Sequence, residues 1–379
     1  MRVVVIGAGV VGSAVAAGLT RRGARVTVLE ARTPGAGTSA TSMAWVNANN
    51  KRLEEYFRLN HAGVLAHHEL PGPWFFPTGH LERATTDEHK ELLDARVARL
   101  ASLGYPVERV TEAGAGDLEP DLVRPPGAEY AFFPGEGHVH PMRLIGRLLG
   151  EARDGGAAVE CGAEVTAIEA SASGARVTVA GGHAFDGDAV VTCAGRWTQG
   201  VAVLAGAYVP MLDPARSGRL TNGFLVTTAP VPARLSRMVT TSGVNLRPDG
   251  AGRLLLQALG LDDRADPAAP VPADVRDTIL ARLPAALHAT EGVTAERAVV
   301  GQRALPGDGL TVAGFADPAG RVYTVATHSG VTLAPLLGRE VAGELYGEES
   351  ALLAPFRPGR FTDGTAGPPP VPARRAGEQ

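Results

Sequence analysis

The chain has 379 residues, a formal net charge of −4, and 45% hydrophobic against 20% charged residues, the balance of a folded globular protein. It carries no basic surplus for nucleic-acid phosphates, and its two cysteines, Cys161 and Cys193, are too few for a disulfide scaffold or a four-cysteine zinc site. No run approaches the ~20 uninterrupted apolar residues of a membrane span, so a cytoplasmic protein of about two domains is expected.

Met1-Arg2 and the apolar residues after it resemble a signal peptide, but glycines at 7, 9, 12 and 18 and a strand-like start argue against one. RVVVI (2–6) is a continuous apolar run, as a parallel strand buried on both faces should be. A glycine turn follows. The next segment, 10–22, reads as a helix that turns Val11, Val15 and Leu19 to the sheet and ends at Arg21-Arg22-Gly23. ARVTVLE (24–30) is a second strand and completes a βαβ unit. A Gly/Thr/Ser-rich stretch, 35–42, precedes helices over 52–68 and 87–103. Segment 141–154 sets Leu144, Ile145, Leu148 and Leu149 on one helix face behind Pro141. Residues 157–170 and 174–182 alternate like strands, 188–195 is a further buried strand, and 225–231 and 252–259 belong to a different sheet. A helix is expected over 272–288. Residues 321–347 repeat the order strand, glycine turn, helix, and the Pro/Gly-rich tail 364–379 reads as disordered.

Gly7-Ala8-Gly9-Val10-Val11-Gly12 is a GxGxxG that follows a buried strand, opens a helix and has Glu30 at the end of the second strand. Gly7 permits the tight turn, Gly9 lets backbone approach a pyrophosphate, and Gly12 allows close helix–strand packing. The helix N-terminus offers free N–H groups and partial positive charge to phosphates. A carboxylate at Glu30 accepts hydrogen bonds from ribose hydroxyls and repels a 2′-phosphate, which disfavours NADP. The bare motif serves NAD or FAD. Two features favour FAD: its place at the very N-terminus with the Gly/Thr/Ser stretch just after, and a second glycine turn. That turn, His328-Ser329-Gly330-Val331-Thr332-Leu333, also opens a helix, whose positive end would suit the flavin pyrimidine edge. An NAD-dependent dehydrogenase is the alternative.

In this order and combination, the motifs resemble the glycine oxidase/D-amino-acid oxidase family of FAD-dependent amine-oxidising enzymes. The resemblance rests on VVVIGAGVVGSAVAAGLTRRGARVTVLEA, GAGTSATSMAW, GHVHPMRLIGRLL, AVVTCAGRW, GQRALPGDGLTVAGF and ATHSGVTLAPLLGREVA, within 1–60, 134–200 and 298–360. It implies an α/β fold (α+β overall) of the glutathione-reductase type. A Rossmann-like FAD-binding domain would come from 1–75, 134–205 and 299–360, a mixed-sheet substrate domain from 76–133 and 206–298, and a tail from 361–379. It places Val10 and Val11 with Gly7, Gly9 and Gly12 at the pyrophosphate, Glu30 and Ala31 at the adenosine ribose, and Thr38 and Ser39 on the phosphate side. Val165 would meet the adenine through its backbone. Met43, Ala44 and Trp45 would border the isoalloxazine, residues 328–333 would wrap its pyrimidine edge, and Gly195 also belongs to the cofactor set. Arg303 matches the arginine that pairs with the substrate carboxylate, since its planar fork holds a carboxylate bidentately. A structural ion pair at a domain boundary is the other reading of Arg303.

The implied reaction oxidises a C–N bond in an amino acid, or in a secondary-amine or hydrazine acid. Hydride passes to flavin N5, the imine hydrolyses, and oxygen or another acceptor takes the electrons. A flavin-binding subunit of a larger amine dehydrogenase is the non-enzymatic alternative. Covalent flavin in the related sarcosine oxidases needs a late cysteine; none lies beyond Cys193, so noncovalent FAD is expected. The second arginine that glycine oxidases carry in the late glycine turn is missing from HSGVT. Trp45 is bulkier than usual and, with Asn47, is a candidate pocket residue; Asn49, Asn50 and Lys51 either reach the substrate or take surface and capping roles. His67 and His68 read as solvated, not as metal ligands, and His138 and His140 as part of a domain crossover. Cys193 reads as a buried strand residue, and Trp74-Phe75-Phe76 as pocket lining or core. No metal is expected.

Overall fold

The computed structural model describes residues 1–70 and 72–371. The sheet beneath the fingerprint has six strands, in the order Val312–Phe315, Val322–Ala326, Ala189–Thr192, Arg2–Ile6, Arg25–Glu30 and Ala158–Cys161. Neighbours are parallel except the first pair. The unbroken apolar run of Arg2–Ile6 has a simple cause: both faces are covered. Val3 and Val5 pack with Val15 and Leu19 of the helix Val10–Arg21 and with the helix Gly330–Leu345. Val4 and Ile6 pack against Ile168, Val177 and Val179 of a three-stranded sheet built from 165–187. The chain leaves Arg2–Ile6 for Arg25–Glu30 on one side, while Ala189–Thr192 adds on the other. Such a reversal of strand order opens a crevice at the carboxyl ends.

A mixed eight-stranded sheet runs Ala295–Gln302, Asn222–Thr228, Leu254–Gln257, Asn245–Pro248, Met238–Thr241, His80–Ala84, Glu129–Phe133, Glu108–Val110. Alternation sends Leu81, Phe224, Val239, Leu246 and Leu256 to one face, against Val275 and Ile279 of the helix Ala273–Ala281. The other face is polar, with His80, Glu82, Thr240, Asn245, Arg247 and Gln257. It lies over residues 41–50: Arg247 Nε donates to the Met43 carbonyl at 2.7 Å, and the His80 ring sits 4.5 Å from Trp45.

Several expectations shift. The helix over 272–288 stops at Ala281, because Pro284 has no N–H to continue it. Residues 157–170 break at Gly162 (φ +70°) into Ala158–Cys161 and Val165–Ser171, which join different sheets. The expected boundaries at 75/76 and 298/299 fall inside the strands Phe75–Phe76 and Ala295–Gln302. Residues 372–379 of the expected disordered tail lie outside the described residues. Among the described residues no helix is long and apolar enough to cross a membrane.

Candidate active site

A cavity of about 540 Å³ opens at the crevice. The fingerprint turn is one wall, and its glycines differ in role. Gly7 has φ +101°, and a Cβ there would lie 2.5 Å from the Cys193 carbonyl oxygen; one on Gly12 would lie 1.9 Å from that of Gly7. These two permit packing. A Cβ on Gly9 would meet only Ser39 Oγ, at 3.4 Å, so the missing side chain there enlarges the cavity. Val10 and Val11 line it at the helix start, where N–H groups lack carbonyl partners. The Val10 N–H donates to Ser39 Oγ at 3.2 Å. A side-chain-free approach beside a helix N-terminus fits a dinucleotide's phosphates.

Glu30 sits at one end, with Ala31 and Val165. Its Oε2 accepts from the Ala8 N–H at 2.8 Å and its Oε1 from the Arg32 N–H at 3.0 Å, which aims the carboxylate. Thr38, Ser39 and Gly195 also line the cavity, as do Arg32, Arg196 and Trp197, which had no role assigned from sequence. The Arg196 guanidinium lies 3.9 Å from the Trp197 ring centroid and donates to Thr38 Oγ1 at 3.3 Å; Arg32 lies 5.1 Å from the same ring. Burial and the neighbouring Arg32 push Arg196 down to about 10, so it stays charged at neutral pH. The two cations on this wall carry charge that would suit two phosphates. Their only sequence signal was an Arg-Trp pair directly after a glycine at a strand's carboxyl end.

At the other end lie His328, Gly330, Val331 and Ala304. The His328 ring is exposed because it faces the open cavity, yet protein surrounds that depth. Burial, with Lys51 and Arg303 adding like charge, pushes its imidazole down to about 3, so the ring is neutral. The turn is tied down: Ser329 Oγ lies 2.9 Å from Tyr56 Oη, and Thr332 Oγ1 donates to the Trp45 carbonyl at 3.2 Å while accepting from the Asn47 N–H at 3.3 Å. Leu333 is core. Ala44 has φ +54°, a strained conformation for a non-glycine residue, beside Met43.

Trp45 and Asn47 do not line this cavity. The Trp45 indole donates to Glu136 at 3.1 Å, and the same fully buried carboxylate accepts from Asn49 Nδ2 at 2.8 Å and Tyr105 Oη at 2.7 Å. Asn50 accepts from Arg96. Asn49 and Asn50 therefore hold the core, neither capping a helix nor lying on the surface. Lys51 Nζ sits 5.6 Å over the Tyr56 ring. His67 is not solvated: it is buried, its Nε2 lies 2.8 Å from the Val331 carbonyl, and burial pushes it down to about 4. His68 lies 2.8 Å from the Gly135 carbonyl. His138 stacks on Phe76, ring centroids 4.8 Å apart. Trp74, Phe75 and Phe76 do not line the cavity. Cys193 does, and burial pushes its thiol up. Among the described residues no three His, Cys, Asp or Glu side chains form a metal cluster.

Arg303 is already partnered. Its Nη1 donates to the carbonyls of Asn222, at 2.7 Å, and Arg219, and its Nη2 to Asp262 Oδ2 at 3.2 Å. Asp262 is 1% exposed, and its Oδ1 accepts from the Phe224 N–H at 2.9 Å. Burial raises this carboxyl to about 6 against the pull of Arg303. Among the described residues Arg303 Nε has no partner, while Nη2 on the same edge is held by Asp262; Arg303 does not line the cavity, although Ala304 after it does.

Residues 2–344 match the family model for FAD dependent oxidoreductases. Glycine oxidase of Geobacillus kaustophilus (strain HTA426) is 26% identical over 93% of this chain and 95% of its own. Its crystal structure has a TM-score of 0.82 at 25% identity, covering 94% of this chain and 98% of that one. L-proline dehydrogenase from P. horikoshii (TM-score 0.83, 20% identity, 96% and 98% covered) and iminodiacetate oxidase from Chelativorans sp. BNC1 (0.79, 20%, 94% and 99%) show the shared fold. The chain belongs to the glycine oxidase/D-amino-acid oxidase family of FAD-dependent oxidoreductases, with the α/β flavoprotein fold that its motifs implied.

Proposed function

We propose that the enzyme oxidises a C–N bond next to a carboxylate, in an amino acid or an N-substituted (secondary amine or hydrazine) acid, and that the imine product hydrolyses. The observation that carries this reading is the unpartnered Nε of Arg303, a residue that does not itself line the cavity but directly precedes Ala304, which does. Arg303 is close enough to His328 to depress its protonation. Bound FAD supplies the two-electron acceptor at flavin N5. Glu30 would hold the ribose, and the Val10 and Val11 N–H groups with Arg32 and Arg196 would hold the phosphates. His328, Gly330 and Val331 would meet the pyrimidine edge and Met43 and Ala44, next to the lining Ser42, the ring's border, with Trp45, Thr332 and Leu333 bracing that wall from behind. Arg303 would orient the acid so that its Cα–H is presented for transfer. His328, neutral at pH 7, adds no charge there. An amine that arrives neutral needs no protein base.

Oxygen or another acceptor would take the electrons, FAD would be noncovalent, and the enzyme would work in the cytoplasm. The test is anaerobic mixing with free amino acids, N-alkyl glycines and their decarboxylated amines. At least one acid should bleach the visible flavin band faster than its own decarboxylated analogue. Bleaching by the amines alone would remove the acid from the reading.

A further inference from the structure

Glu136 is a fully buried carboxylate that neither the cofactor nor the substrate assignment uses. Five hydrogen bonds converge on it. Its Oε2 accepts from the Trp45 indole at 3.1 Å and from Asn49 Nδ2 at 2.8 Å. Its Oε1 accepts from the backbone N–H groups of Ala48 at 3.3 Å and Asn49 at 3.2 Å, and from Tyr105 Oη at 2.7 Å. His80 Nδ1 lies 3.5 Å from Oε2. Among the described residues no lysine or arginine side chain bonds to it. An acceptor-only group suits such a set of donors, and a carboxylate accepts on both oxygens. Burying a charge without a fixed counter-ion is costly, and only hydrogen bonds of this number and quality offset it.

The donors come from three parts of the chain. His80 stands on the eight-stranded sheet, Tyr105 follows the helix Asp87–Ser102, and Trp45 to Asn49 run on from Ser42, which lines the cofactor cavity. The segment 45–49 is also held by Thr332, through the Trp45 carbonyl and the Asn47 N–H. Thr332 directly follows Val331, which lines the cavity with Gly330 and His328. Residues 45–49 therefore bridge two parts of the cavity wall, and Glu136 anchors the bridge. Charge-assisted hydrogen bonds are directional, so they fix it more closely than apolar packing would.

We propose that Glu136 is a positioning residue for the flavin: through Trp45, Ala48 and Asn49 it sets the spacing between the Ser42 wall and the His328–Val331 turn, and so the fit of the ring between them. The inference rests on the proposed function only in setting the ring against those two stretches.

FAD release on dilution of the holoenzyme, read as free flavin fluorescence, and the visible circular dichroism of the bound flavin test it. Glu136→Gln keeps the shape and one acceptor oxygen but turns an N–H₂ group towards groups that themselves donate. FAD affinity should fall about 10-fold or more, and the visible dichroism, which follows the asymmetry around the ring, should change in shape. Ile279→Ala, in the apolar core on the far face of the sheet, is the control for lost stability alone: its melting temperature should fall while affinity and dichroism stay as in the wild type. In a Thr332→Val background, where the bridge lacks its other hold, Glu136→Gln should cost less than in the wild type, because the two act on one segment. Should Glu136→Gln not fold, Tyr105→Phe removes one of the five donors and should make the same changes to a smaller extent. Unchanged affinity and dichroism in Glu136→Gln, the same changes in Ile279→Ala, or full additivity with Thr332→Val overturns the proposal. Failure of the reaction is separately visible: if no acid or amine bleaches the flavin but these shifts stand, the oxidation is wrong and Glu136 keeps its role.

Discussion

Arg303 gives Nη1 to the carbonyls of Asn222 and Arg219 and one Nη2 hydrogen to Asp262, so the ion-pair reading and the carboxylate reading fall on one side chain. Asp262 neutralises Arg303 only while ionised, and its carboxyl is raised to about 6. Protonation below that value unmasks the guanidinium. Acetate should therefore bind roughly 3- to 10-fold more tightly as pH falls from about 7.5 to about 5.5. Asp262→Asn should flatten that profile, and a pH-independent affinity in the wild type would show that the pair does not gate the site. Glu30 supports a second prediction. It orients the turn through the Ala8 and Arg32 N–H groups and, on the proposed reading, would hold the ribose, so Glu30→Ala should weaken FAD retention by about 1.5–3 kcal/mol per lost charge-assisted bond. Unchanged flavin content and affinity in the purified variant would remove Glu30 from the cofactor site.

At the scale of elements, the fingerprint turn separates packing from binding. Gly9→Ala has room, with only Ser39 Oγ at 3.4 Å, so the chain should fold and lose FAD affinity. Gly338→Ala should instead destabilise the apoprotein, because its Cβ would lie 2.5 Å from the Ala14 carbonyl where the opening helix crosses Gly330–Leu345. Circular-dichroism melts of the two apoproteins check the contrast; a Gly9→Ala apoprotein as unstable as Gly338→Ala would erase it. The βαβ start was legible because its signals are local: an apolar strand, a glycine turn and a carboxylate lie within 2–30. Pro284 was equally legible as a helix stop and was overrun by the apolar residues around it. Arg196 and Trp197 were hidden because their use depends on a strand order that reverses between Arg2–Ile6 and Ala189–Thr192. His67 looked solvated on a polar helix because the surface that buries it, at Val331, lies far along the chain. Asn245 and Gln257 stand on four-residue strands, too short for alternation to mark which face they take.

For the whole molecule, His67 and His138 are neutral by burial, lowered from the usual 6.5 to about 4 and about 3. The unfolded chain binds those protons first, so the stability they contribute is complete above pH 6.5 and is lost as pH falls towards 4. Asp262, raised to about 6, acts with the opposite sign. With His328, also lowered to about 3, three groups against one predict a melting temperature that drops between about pH 7.5 and about pH 5. A flat or rising melt on acidification would show that these imidazoles reach solvent in the folded protein.

The oxidation of an acid held by Arg303 is the claim on which the functional account depends. Its most direct test is the rate of anaerobic flavin reduction by a substrate acid and by its decarboxylated analogue, in the wild type and in Arg303→Ala. Losing a charged partner costs about 2–5 kcal/mol, so the acid should slow by roughly 30- to several-thousand-fold in kcat/KM. The released Asp262 can protonate, so FAD content should stay near normal. The amine, with nothing for Arg303 to hold, should slow far less. An equal loss for both substrates, or a variant that simply sheds its FAD, would show that Arg303 is structural and that the substrate is not held by its carboxylate.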